Sequence, residues 1–152
     1  MKKNRDCRII RLGDRILRIL DAEEEKALVI DCVKMGMPKW ISLSEIKDGV
    51  EIPGEEFMGE MERDIPEEMS ASARQTMHER FTVISGILPC VGDKKQRSLR
   101  IADAAEKYKV SQNTVKNYLR LYLAYQDILV LAPREKQEQR KLTQDELLEV
   151  LQ

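Results

Sequence analysis

Few residues in this chain are equipped for chemistry. Among 152 residues there are three cysteines, one histidine and one tryptophan. Cys7, Cys32 and Cys90 are odd in number and far apart, which argues against a disulfide framework or a zinc site and favours reduced thiols. His78 has no cysteine or second histidine at ligand spacing, and it falls on the polar side of a helical pattern, where a surface role is expected. No Gly-rich phosphate loop and no Ser-His-Asp or Cys-His pattern is present. The sequence therefore points away from an enzyme, with no catalytic residue, metal or cofactor expected.

Apolar runs are short as well. None approaches the roughly 20 residues needed to cross a bilayer, so no membrane partner is expected. The basic start, Met1-Lys2-Lys3-Asn4-Arg5, is followed by no apolar stretch and no small-residue cleavage site, unlike a signal peptide. A cytoplasmic location is expected. Aromatics make up 5% of the chain, so the core must rest on Leu, Ile, Val, Met and Ala. With 42% hydrophobic and 35% charged residues, the composition is that of a soluble globular protein with a modest core. The length suits one ordinary domain or two small ones sharing an interface.

Charge is abundant but unevenly placed. The net charge is −1, yet residues 94–126 carry eight basic and two acidic side chains, and residues 1–18 carry seven and two. Residues 42–70 carry ten acidic and two basic side chains. Such segregation suits a protein with one surface turned to a polyanion and another to solvent. Solvated charged faces alone would give the same pattern.

The hydrophobic pattern predicts an α+β chain: a small N-terminal antiparallel sheet or barrel, then a helical helix-turn-helix domain. Over residues 1–43, strands are expected at Cys7–Leu12, Arg15–Asp21, Lys26–Cys32 and Lys39–Leu43, separated by Gly13-Asp14, Ala22–Glu25 and the Gly36/Pro38 region. Residues 44–65 are acidic and hold Gly49, Pro53, Gly54 and Gly59, which reads as a loop or linker. Residues 66–133 form the expected helical domain. A first helix should open at Pro66, with Glu67 and Glu68 in its first turn, and bury Met69, Ala73, Met77, Phe81 and Ile84 before Gly86 and Pro89 stop it. Residues 134–152 supply a charged connector and a short helix opened by the Thr143-Gln144-Asp145-Glu146 capping box.

The segment from Gly92 onward carries the functional signal. Gly92–Arg97 reads as a basic loop, Ser98 as the cap of a helix over Leu99–Tyr108, and Ser111 as the cap of another over Gln112–Gln126. Only Lys109 and Val110 separate the first helix from the second cap, the tight connection of a helix-turn-helix. Ala105 is small where the helices would cross, Val110 would plug the turn, and Ile101, Tyr108, Val115 and Leu119 would face the core. The turn position commonly held by Gly is Lys109, where a left-handed backbone costs a non-glycine residue on the order of 1 kcal/mol. The open face of the second helix carries Gln112, Asn113, Thr114, Lys116, Asn117 and Arg120. Amides suit adenine and cationic side chains suit guanine in the major groove. Ser111, by capping this helix, would free its first turn to meet phosphate, and Lys94, Lys95 and Arg97 would touch the backbone. Double-stranded DNA is the expected partner. A helical hairpin with an ordinary polar surface is the plainer alternative.

Beyond the motif, the chain resembles the N-terminal region of TnsB-type transposases, relatives of Mu-type transposases and retroviral integrases. Tyr118-Leu119-Arg120-Leu121-Tyr122, then Leu129, Leu131 and Pro133, carry the resemblance, together with the strand-rich segment around Trp40-Ile41-Ser42-Leu43. The stretch Ala124–Ile128 departs from it, lacking the Gly and further basic residues common there. The resemblance implies recognition of transposon ends ahead of an RNase-H-like catalytic domain with three metal-binding carboxylates. It also implies other transposition proteins, or self-association on DNA, as further partners. Too little chain follows Pro133 for that catalytic domain, so a fragment or truncated product is expected. A stand-alone transcriptional regulator and a protein–protein adaptor are the competing readings; the adaptor would not need a basic face.

Overall fold

The computed structural model describes residues 8–34, 36–61 and 68–133. Within them the chain is α+β: five antiparallel strands in one open sheet, and five α-helices. The strands are β1 (Ile9–Leu12), β2 (Arg15–Ala22), β3 (Lys26–Asp31), β4 (Lys39–Ser42) and β5 (Val50–Ile52), in the order β4-β3-β2-β1-β5. β1 and β2 are joined by the two-residue turn Gly13-Asp14, with Leu12 opposite Arg15. Gly13 takes a left-handed φ of 66°, which glycine adopts without steric cost. β4 and β5 are free edges, so the open-sheet form of the expected architecture is the one adopted.

Strand alternation sorts the apolar residues onto both faces of the sheet. Ile9, Ile16, Ile30, Cys32 and Ile52 join the main core with the helices. Ile10, Leu17, Ile19, Ala27 and Val29 form a second cluster on the opposite face, closed by Ile46. The continuous apolar run Ala27–Ile30 thus serves two cores, as a strand buried on both faces must. Between Ile19 and Asp21 the β2–β3 register shifts, and Leu20 is the residue passed over.

The acidic segment departs from the sequence reading. Residues 44–61 are not a loop: α1 (Leu43–Ile46), β5 and α2 (Gly54–Met61) all lie in or overlap them, and 62–65 fall outside the described residues. Three buried side chains order the stretch, Ile46, Ile52 and Phe57, the last fully enclosed. Gly49 is required at the corner before β5, because a β-carbon there would run into Ile10 and approach the carbonyls of Arg11 and Ile46 at 3.2 Å. β5 pairs with β1, Ile52 opposite Ile9 and Val50 opposite Arg11. The phenyl ring of Phe57 lies 5.4 Å from that of Tyr125, with the Arg18 guanidinium 5.3 Å above it. One core therefore runs from the sheet through α2 to Tyr125.

The first long helix, α3 (Ala71–Ser85), begins later than Pro66 and is capped by Ser70, whose hydroxyl accepts from Ala73 N at 3.0 Å. Pro66 and Glu67 lie outside the described residues, as do Cys7, the connector from Arg134 and the helix expected after Thr143. Ala73, Met77, Val83 and Ile84 are the buried positions of α3, with Gly86 at its C-cap. α4 (Lys94–Tyr108) also starts before its expected cap: Asp93 accepts from Gln96 N at 3.1 Å, and Ser98 lies inside the helix. α5 (Gln112–Tyr125) starts at Ser111 as expected. A 3₁₀ turn at Ile128–Leu131 then packs against α3 and α5, burying Val130 and Leu131.

Candidate nucleic-acid interface

α4 and α5 form a tight hairpin whose geometry follows from three local devices. Lys109 ends α4 in the left-handed region, at φ 59° and ψ 46°, without the glycine usual there. The strain is tolerated because the reversal closes hydrogen bonds: Val110 N donates to Ala105 O at 3.0 Å, and the Lys109 N–H reaches the same carbonyl. Ser111 then opens α5, its hydroxyl accepting from Thr114 N and donating to Thr114 Oγ1, each at 3.0 Å. Ser111 and Thr114 are thus tied to each other, and Thr114 is half-buried. Their place at the site is to shape the start of α5.

The hairpin is held by an apolar seam. Val115 and Leu119 are fully enclosed, four residues apart on one face of α5. Ile101, Ala104 and Ala105 meet them from α4, all buried. Tyr108 and Val110 are half-buried at the turn. Behind the seam, Phe81 of α3 meets Tyr122 edge-on at 5.2 Å, and Arg80 lies over the Tyr118 ring while donating to Leu131 O at 3.1 Å. Much of the Tyr118–Tyr122 and Leu129–Leu131 sequence is therefore engaged in packing.

A flanking face over the first turns of α5 is open. Gln112, Asn113 and Asn117 are exposed, and Lys116 and Arg120 are half-buried. Successive spacings of three and four from Asn113 to Lys116, Asn117 and Arg120 align them on one stripe. Arg120 Nη1 donates to Asn117 Oδ1 at 2.8 Å. α5 carries no Asp or Glu. Lys107 and Lys109, both exposed beside the turn, add positive charge next to the start of α5. They were visible in the sequence as basic residues, but only the turn geometry places them near Gln112.

The other three expected contacts divide. Lys94 and Lys95 are exposed, but they occupy the first turn of α4 rather than a loop. At 1.5 Å per residue that turn lies about 20 Å along the axis from Tyr108. They do not share the stripe of α5, and would meet a separate stretch of backbone. Arg97 is not available to phosphate at all. It is 7% exposed and donates from Nη1 to Val91 O at 2.7 Å and Pro38 O at 3.2 Å. Burial lowers its pKa, against the opposing influence of Cys90 and Asp93. The early start of α4 explains the error: positions 97, 101, 104 and 105 share the inward face, so Arg97 ties α4 to the β3–β4 connection. Trp40 reinforces that joint, its Nε1 donating to Gly92 O at 2.8 Å.

Cys32 is fully enclosed, and burial raises its thiol pKa to about 12, with Arg18 pulling it the other way. Among the described residues no helix is long and apolar enough to cross a membrane, and no group of three or more His, Cys, Asp and Glu is placed to hold a metal. No family model and no curated protein matches the chain.

Proposed function

We propose that this chain binds double-stranded DNA, with α4 and α5 acting as a helix-turn-helix and α5 as the reading helix. The supporting observation is the division of α5 into two faces. Val115 and Leu119 are sealed in the core, while Gln112, Asn113, Lys116, Asn117 and Arg120 form a stripe of amides and cations. A helix with side chains is about 10–12 Å across and the B-DNA major groove about 12 Å wide. The amide and cationic groups suit base edges, and the exposed start of α5 suits a phosphate. No reaction is assigned to the chain.

The DNA proposed is a transposon end, with the chain serving as the recognition part of a transposase. This finer reading rests on the sequence resemblance around Tyr118–Tyr122 and Leu129–Pro133. Other transposition proteins, or further copies on the same DNA, are its proposed partners. Selection of bound duplexes from a random pool tests it: repeats from the ends of an element support it, and a promoter palindrome favours a regulator of transcription.

DNA binding itself is tested by titrating a labelled duplex with the full chain at several salt concentrations. Affinity is expected to fall steeply, with a slope of log affinity against log salt of about −0.9 for each phosphate neutralised. Absence of binding at low salt contradicts the reading.

A further inference from the structure

We infer that Asn117 and Arg120 read DNA as one unit that presents only hydrogen-bond donors, and that this unit selects a guanine edge. The inference rests on the DNA-binding reading above. The two residues lie three apart on the open stripe of α5, where side chains on a helix meet. Arg120 Nη1 donates to Asn117 Oδ1 at 2.8 Å. A guanidinium has five N–H donors and no acceptor, so the contact fixes which way the Asn117 amide points: oxygen toward Arg120, amino group away from it.

That orientation bears on the base code. Paired recognition of adenine requires the asparagine oxygen to accept from N6 while its amino group donates to N7. Here the oxygen already faces a cation. The oxygen keeps a second lone pair, but it lies beside the guanidinium, and an adenine amino group brought there would set its partly positive N–H groups against the cation. Guanine presents N7 and O6, both acceptors, and suits a donor-only pair. The inner end of Arg120 is out of reach of a base: its Nε is enclosed by protein, with no hydrogen-bond partner among the described residues. The donors that can meet a base are therefore on its outer Nη groups, beside the Asn117 amino group. The sequence alone assigns Asn117 to adenine by residue type; the contact with Arg120 reverses that assignment.

The test uses the full chain and a random duplex pool, followed by base-analogue substitution in the recovered site. A guanine is expected at the position whose preference relaxes in both Asn117→Ala and Arg120→Ala. Replacing it by 7-deazaguanine should weaken binding about tenfold, the scale of one lost base contact. The two substitutions should be less than additive, because either one breaks the unit. Arg120→Lys keeps the stem and charge but loses the fork, and it should relax the same position should Arg120→Ala melt early. An adenine at the position whose preference relaxes in Asn117→Ala, sensitive to loss of its N6 amino group and unaffected by Arg120→Ala, overturns the inference and leaves DNA binding standing. Failure to retain any duplex overturns both.

Discussion

Lys109 offers a sharp test of the hairpin, because its backbone and its charge can be separated. At φ 59° and ψ 46° it occupies a region that costs a residue with a β-carbon about 1–2 kcal/mol. Glycine removes that strain, but its looser unfolded chain returns about 0.4–1 kcal/mol of the gain. The net difference between Lys109→Gly and Lys109→Ala should be about 1 kcal/mol in favour of glycine. Both variants lose the same exposed cation at the C-terminal end of α4, worth about 0.3–1 kcal/mol, so comparing them cancels that contribution. For a chain of this size 1 kcal/mol moves the melting midpoint by about 2–4 °C. Thermal melts followed by circular dichroism on the two variants side by side measure it. Glycine no more stable than alanine would mean that position 109 is not left-handed, and the placement of α5 relative to α4 would fail with it.

Phe57→Ala should destabilise the fold by about 3–5 kcal/mol, since the ring is fully enclosed against Tyr125 and Arg18; a urea melt close to wild type would show that α2 is not part of the core. Arg97→Met keeps the apolar stem but leaves Val91 O and Pro38 O without their charged donor, at a cost of about 2 kcal/mol. Its salt slope for DNA should equal that of wild type, and a shallower slope would return Arg97 to the contact surface. Lys94→Gln with Lys95→Gln should reduce the slope by up to about two units without changing sequence preference. In the native protein near pH 8, alkylation followed by peptide mass spectrometry should modify Cys90 and spare Cys32. With the Cys32 pKa raised to about 12 from an ordinary 9, its contribution to stability is present below pH 9 and is lost as pH rises through 12. Equal modification of both thiols would contradict the burial of Cys32.

The parts of the fold legible in the sequence are those where several apolar residues repeat at one spacing. β1 to β4 announce themselves by short apolar runs between turn residues. The start of α5 is legible because Ser111 can cap only where Val115 and Leu119 then turn inward together, and the strain at Lys109 follows from the two residues left for the turn. β5 and α2 are hidden because each is anchored by a single fully committed apolar residue, Ile52 and Phe57, among carboxylates that dominate the composition. Start points misplaced by several residues have a different cause. Ser70 and Asp93 cap helices that open on residues with no apolar period, so Pro66 and Ser98 compete as starts on local chemistry. The error at α4 carries through to function, because it turns Arg97 outward on paper when the helical phase turns it inward. Residue type likewise leaves Asn117 free to read adenine, and only the 2.8 Å contact from Arg120 commits its oxygen.

The central claim is that α5 enters DNA by its open stripe. Titrating a ¹⁵N-labelled full-length chain with a duplex recovered by selection, and following backbone amide shifts, tests it residue by residue. The account predicts the largest changes from Lys107 through Arg120, with smaller ones at Lys94 and Lys95 and little movement in α2 or α3. Changes centred on the sheet around Arg8, Arg11 and Arg15, with α5 unmoved, would contradict it.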